Sequence, residues 1–349
     1  MAIRVVVVGM GPRGQDWVRQ LRSNPAYEVV GCVEVDEERR QRASLDLSIP
    51  PQQCFADLVV ALDQCDAHAV VVATPAEDHK HTCELALLRG LGAIVEKPFT
   101  VNLQDAVHLV ELAEQKSLPL IVAQNYRYMR SFRTAGRLIA EGVLGRVGIV
   151  VCQYYRVPHE MALSLSSVQH SILWGAGVHH LDALRKILGK NVAGVMAESF
   201  TLPWGQLPSG ASIRVMLSME DGARVSYSAT YESSGHEFFE RGQEFYIRIV
   251  GERATLHVLH RWLVLCERKR LPRVVRRGKR AITEEQVLLG QFERLLLAGE
   301  KPDSSGRDNL QTMAVVEACV RSSNEQKWIN PQELLNEHES RTAGVSFRG

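Results

Sequence analysis

Two domains are what this 349-residue chain predicts, an α/β domain with a doubly wound parallel sheet followed by an α+β domain with a mainly antiparallel sheet. Three observations predict them. The chain exceeds the ~250–300 residues at which single cores stop growing. Its first third repeats a β-branched apolar run, a turn and a helical segment, and the first of these turns carries glycines at GxGxxG spacing. Beyond it, apolar and polar residues alternate along strands joined by hairpin turns. The change of pattern places the domain boundary between residues 122 and 123.

Hydrophobic residues make up 45% of the chain and charged residues 23%, which is ordinary globular balance. The formal net charge is +1, so no whole-molecule field draws the protein to nucleic acid or to an acidic membrane surface. Seven cysteines, at Cys32, Cys54, Cys65, Cys83, Cys152, Cys266 and Cys319, form no CxxC pair. That argues against a disulfide framework and against a zinc site, so no metal is expected, and it favours a reducing compartment. The opening MAIRVVVVG has a shorter apolar run than a signal peptide and falls far short of the ~20 residues of a membrane span. The expected location is cytoplasmic.

The segment IRVVVVGMGPRG passes from a run suited to a strand buried on both faces into Gly9, Gly11 and Gly14, and DWVRQLRSN then resumes at helical spacing. In such a unit Gly9 permits the tight turn, Gly11 lets the backbone approach a pyrophosphate and Gly14 lets helix pack on strand. The helix start, with Pro12 and Arg13, offers amide donors to phosphate. A second strand, YEVVGCVEVD, ends in Glu34 and Asp36, roughly 20 residues on, where an acid can bind the ribose hydroxyls. Glu34 is the expected ribose ligand and Asp36 the cap of the next helix. This favours NAD, while Arg39 and Arg40 keep NADP open. Further strands end at Thr74-Pro75 and at Glu96-Lys97-Pro98, on the side where open α/β sheets take ligands.

The stretches GMGPRG, VATPAEDH, VEKPF, NYRYM, EGVLGRV, GVHHLDALRKILG and FERLLLAGEKP span nearly the full length, and together they resemble the Gfo/Idh/MocA oxidoreductases. The resemblance implies an N-terminal Rossmann domain for NAD or NADP and a C-terminal open, largely antiparallel sheet that covers the active site and usually builds an oligomer interface. A homo-oligomer, dimer or tetramer, is therefore expected. It implies that Lys97 lies near nicotinamide and substrate, that Glu34 binds ribose, and that His79 follows the Thr-Pro turn. His179 and Asp182 match the last two members of a DxGxHxxD segment whose histidine moves a proton. Where the family commonly has its first aspartate, this chain has Gly175.

The cofactor set expected from these readings is Gly9, Gly11, Pro12, Arg13, Gly14, Glu34, Thr74, Pro75, His79, Glu96 and Lys97. On a regular helix residues 175, 179 and 182 share a face while His180 points elsewhere, so the adjacent histidines have different tasks. His179 is the expected base, because histidine titrates near neutrality. Lys97 is expected to stabilise the alkoxide-like transition state, and His180 to pack under the helix. Asp182 either orients His179 or lines the substrate. Tyr126, Arg127, Tyr155, His159 and His170 complete the expected substrate contacts. In the second half, Ile213, Val215, Leu217 and Met219 alternate, Asp221-Gly222 turns the chain, and Val225, Tyr227, Ala229 and Tyr231 alternate again.

The basic run RKRLPRVVRRGKR, residues 268–280, reads as a solvated loop rather than a nucleic-acid or polyphosphate patch, since no aromatic residue is interleaved. The expected function is hydride transfer between a nicotinamide cofactor and a hydroxyl or carbonyl of a sugar, cyclitol or related polyol. The alternative is a nucleotide-binding regulatory or scaffold protein that has lost catalysis at Gly175.

Overall fold

The computed structural model describes residues 2–157, 169–207, 210–234, 243–259, 262–276, 278 and 282–343. The chain divides into two compact units. The first comprises Met1–Asn125, Ile282–Leu310 and the chain from His338; the second comprises Tyr126–Ala281 and Gln311–Glu337. The sequence suggests one cut at 122/123; in the structure the units part at 125/126, and the chain later returns to the first unit. Helical periodicity in the late segments does not say which sheet they cover.

In the first unit β1 (Ile3–Val8), β2 (Tyr27–Val33), β3 (Cys54–Phe55), β4 (Ala69–Val72), β5 (Gly92–Val95) and β6 (Leu120–Val122) form one parallel sheet in the order β3-β2-β1-β4-β5-β6. That is the doubly wound order, and it follows from apolar strands alternating with helices. Val5 to Val8 and Val70 to Val72 are buried, as central strands covered on both faces must be. The connecting helices are α1 (Pro12–Arg22), α2 (Glu37–Asp46), α3 (Leu58–Gln64), α4 (Ala76–Leu88) and α5 (Leu103–Gln115). Asp36, Asp57 and Asn102 cap α2, α3 and α5 through side-chain oxygens.

The second unit holds α6 (Arg130–Ala140), β7 (Val147–Arg156), α7 (Val178–Leu188), β8 (Val192–Phe200), β9 (Ser212–Met219), β10 (Arg224–Thr230), β11 (Gln243–Gly251), β12 (Ala254–Leu259), β13 (Trp262–Glu267) and β14 (Arg273–Val275). Its eight strands run in the order β14-β13-β12-β11-β7-β10-β9-β8, antiparallel except where β10 pairs β7. The β9–β10 hairpin matches the alternation, with Gly222 at φ +91° in its turn. Along β9 and β12 buried residues alternate with less buried ones, and the opposite face of the sheet exposes Ile149, Met216, Trp262 and Val274. Strand β8, within VAGVMAESF, was not anticipated.

Three helices follow: α8 (Glu284–Ala298), α9 (Gly306–Glu325) and α10 (Pro331–Ala343). The first of them packs within the first unit. The Tyr27 hydroxyl donates to the Leu289 carbonyl at 2.6 Å, and Phe292 lies under Gly92.

Candidate functional site

The three glycines of the first turn do different things. Gly9 sits at φ +88°, and a Cβ there would stand 2.7 Å from the Ala73 carbonyl oxygen. A Cβ on Gly14 would overlap the carbonyl of Gly9. At Gly11 a Cβ would meet no atom within 4 Å. The chain's own packing therefore demands glycine at 9 and 14, whereas at 11 it leaves space above the start of α1. That helix has Gly11 as N-cap, Pro12 in its first turn, no side-chain cap and no acid in the first turn, so its amides remain for an anion.

Beside this turn the Glu34 carboxylate accepts from Met10 N at 2.9 Å and Asp36 N at 3.1 Å. It is thereby held at the end of β2, with oxygen lone pairs beyond these two bonds to spare for ribose hydroxyls. Arg39 approaches Glu34 at 3.6 Å, while Arg40 donates to the carbonyl oxygens of Glu34 and Val35. Thr74 Oγ1 is buried without a hydrogen-bond partner at the end of β4. The open place at Gly11, the uncapped helix start, the placed carboxylate and the orphaned hydroxyl together fit a dinucleotide.

Three side chains expected on the cofactor also bind within the protein. Arg13 donates to Glu96, with Nε at 3.0 Å, and also lies by Glu285 of α8. Glu96 further accepts from Trp17 Nε1 at 2.8 Å. His79 is buried with Nδ1 2.9 Å from the Pro98 carbonyl and Nε2 3.0 Å from the Thr74 carbonyl. It clasps the loops after β4 and β5. Spacing could mark these residues as rim positions, but it could not reveal that they bind one another across loops.

Lys97 lies in the loop just past β5. Burial holds its ammonium below the ordinary lysine range, Glu96 opposes this, and Arg13 adds to it. A desolvated cation beside the glycine-turn rim is suited to an oxygen that gains negative charge.

In the second unit the NYRYM and GVHHLD stretches meet. The Tyr126 ring stacks on His179 with centroids 4.1 Å apart and planes 9° from parallel. Arg127 forms a two-pronged ion pair with Asp182, Nε to Oδ2 at 2.8 Å. Thr312 of α9 donates to Asp182 at 2.9 Å and accepts from Arg185 at 2.9 Å. Asp182 is 0% exposed. It sits at the centre of a buried network, and Arg127, buried beside it, is its ion-pair partner. Thr312 carries no motif that sequence reading could have caught.

His180 is buried as expected, with Nδ1 2.9 Å from the Tyr227 hydroxyl and its ring 4.5 Å from that of Tyr154. Because successive side chains of β7 alternate, Tyr155 stands on the other face of the sheet from Tyr154. Burial raises the Tyr126 phenol to about 12, with Tyr154 adding and Arg156 opposing, so it stays protonated at neutral pH. His170 is half-buried, which lowers its pKa, and its φ is +56°. His159 lies outside the described residues.

A π-helical turn, Leu173–Gly177, precedes α7 and contains Gly175. The Val178 amide bonds the Leu173 carbonyl, five residues back. The regular-helix argument that aligned 175 with 179 therefore fails at this turn, although 179 and 182 remain on α7 with its ordinary spacing. Among the described residues, no group of three or more His, Cys, Asp or Glu side chains is arranged to hold a metal.

A doubly wound sheet with a dinucleotide turn and a half-buried rim lysine fits an NAD-binding oxidoreductase. Family models agree: residues 3–124 match the oxidoreductase family with NAD-binding Rossmann fold, and residues 132–257 match the GFO/IDH/MocA C-terminal domain. The chain belongs to the Gfo/Idh/MocA family. It is 26% identical over 355 residues to a D-apiose dehydrogenase of Paraburkholderia graminis, covering 94% of this chain and 89% of that one. It is 26% identical over 247 residues to an inositol 2-dehydrogenase of Arthrobacter, covering 66% and 72%. In fold it resembles an Agrobacterium radiobacter oxidoreductase solved with NAD+, L-tartaric acid and magnesium, at TM-score 0.86, 20% identity and coverage of 96% and 100%.

Proposed function

We propose that the protein is an NAD-dependent dehydrogenase or reductase acting on a hydroxyl or carbonyl of a sugar, cyclitol or related polyol. The observation that carries this reading is the half-buried Lys97, whose charge is partly desolvated, at the rim of a sheet whose glycine turn leaves open space at Gly11. The names of the dehydrogenase relatives support the substrate class. Gly9, Gly11, Gly14, Glu34, Thr74 and Pro75 would hold the dinucleotide, and Pro12 starts the helix whose amides meet its phosphates. The nicotinamide, when bound, accepts or supplies the hydride.

The chain's own residues handle the proton and the charge. His179, its ring plane set by Tyr126, takes the hydroxyl proton in oxidation and returns it in reduction. Lys97 stabilises the negative charge that grows on a substrate oxygen. NADP is the alternative cofactor, with Arg39 the residue to favour it.

A second copy of the chain is the proposed cover for the sheet face that exposes Ile149, Met216, Trp262 and Val274. Light scattering on the purified protein tests that part. Cytoplasmic residence is supported by seven cysteines that are all free.

The deciding experiment is a parallel titration with NADH and NADPH followed by tryptophan energy transfer, then turnover of a polyol panel by Lys97→Ala and His179→Ala. Tighter NADH binding and a loss of at least ~10²-fold in turnover for Lys97→Ala are expected. Unchanged turnover removes Lys97 from the chemistry, and a wild-type pH profile in His179→Ala removes His179. Failure to bind either nucleotide overturns the reading.

A further inference from the structure

Helix α6 has the sequence RSFRTAGRLIA, and Arg130, Arg133 and Arg137 recur at spacings of three and four, which puts them on one face. Phe132, Ala135 and Leu138 occupy the buried side. The three arginines border a cavity of about 380 Å³ completed by Thr134, Arg276 and Gly278. None of the six lining residues is acidic. Arg276 and Gly278 come from the basic run after β14, which neither the nucleotide turn nor the histidine helix uses.

The cavity is built in part by one of its own cations. Arg130 sends Nε and Nη2 to the Gly278 carbonyl, with Nε at 2.8 Å, so the basic loop is fastened over the helix. Arg137 pairs with Glu141 along the helix. Among the described residues, no carboxylate pairs with Arg133 or Arg276, and both are exposed. Four guanidinium groups thus border one concavity, with Glu141 the one carboxylate paired to any of them among the described residues. Such a concentration of positive charge around one hollow attracts anions.

We propose that this cavity is a binding site for a compact polyanion carrying two or more phosphate groups. Guanidinium forks match phosphate oxygens in pairs, and several forks around one hollow recognise several such oxygens at once. The volume suits a small molecule, since ligand pockets span ~300–1,000 Å³. A nucleic acid is disfavoured by the same geometry: the charges ring a hollow instead of tracking a backbone, and no aromatic side chain lines it for base stacking.

Titration calorimetry with inorganic triphosphate at about 0.15 M ionic strength tests the site on the full-length protein. The nucleotide turn also attracts phosphate, so Gly11→Ala serves as the control. Wild type and Gly11→Ala should bind triphosphate alike, while Arg133→Ala/Arg276→Ala should bind at least about tenfold more weakly, the scale of lost charge-assisted bonds. Both arginines are exposed, so the double variant should melt with wild type. Arg133→Lys/Arg276→Lys, which keeps charge and loses the forks, should fall between. The proposal is overturned if wild type does not bind, if the double alanine variant binds as wild type does, or if affinity is lost in Gly11→Ala instead. Tighter binding of a DNA duplex or an acidic peptide than of triphosphate also overturns it.

Discussion

In the first unit Glu34, Glu96 and His79 are buried against backbone groups and loop residues at the carboxyl rim of one sheet. In the second, Arg127, Asp182, Arg185 and Thr312 are buried against one another, joining a 3-10 turn, α7 and α9. The first arrangement places loops for a ligand. The second locks helices beneath the histidine pair, where the Tyr126 ring stacks on His179. The difference teaches that buried charges can face a ligand rim or face one another: Asp182 is engaged by Arg127 and Thr312.

The sharpest break in this comparison is Asp182→Ala. It strands the Arg127 guanidinium in the interior, and removing one member of a buried pair costs about 3–5 kcal/mol. Urea unfolding should show that loss; a midpoint near wild type would mean that the network is not a structural node. Gly11→Ala makes the opposite case in the first unit. Its melting temperature should stay at the wild-type value, because the new methyl group meets nothing, while NADH affinity falls at least about tenfold as the pyrophosphate is pushed from the helix start. Equal NADH affinity in that variant would show that the open space is not the phosphate seat.

Tyr126→Ala should reduce turnover roughly 2- to 10-fold, matching the ~0.5–1.5 kcal/mol of a stacked aromatic pair. Tyr126→Phe keeps the ring and should restore the rate. If both variants fall together, the hydroxyl and not the stack is what matters.

The smallest expected effect is on pH dependence. Because burial lowers the Lys97 pKa, its charge is lost at a lower pH than that of a solvated lysine. Turnover should therefore decline on the alkaline side before the ordinary lysine range is reached, and Lys97→Arg should move that limb upward at a reduced rate. The sign for stability is opposite. Across this window the unfolded chain binds more protons than the folded one, so the lysine's penalty to folding shrinks as pH rises. An alkaline limb at the ordinary lysine value would place Lys97 in solvent.

Much of the first unit was legible. The glycine spacing, the acid after β2 and the Asp36 cap are local patterns, and the structure gives each the geometry that its spacing implies. The mutual engagement of Arg13, Trp17 and Glu96 was not legible, since 79 and 83 positions separate Glu96 from its partners. In the second unit the alternation of β9 and β10 declared a hairpin, yet the π turn before α7 escaped notice because a single widened turn leaves no period in the residues. Tyr154 and Tyr155 were equivalent as neighbours in sequence, and the facing of β7 alone told them apart.

By itself the sequence determined what short-range physics determines here: which runs make strands, where the glycines force a turn, which residues cap helices, and the family to which those stretches belong. The tertiary structure decided what depends on groups distant in the chain. It sent Asp182 to Arg127 and Thr312, Glu96 to Arg13 and Trp17, and α8 back to the first unit. The reason is that a buried charge must find its counterpart wherever packing presents one, and packing is settled by the whole set of apolar faces rather than by the residues adjacent to the charge.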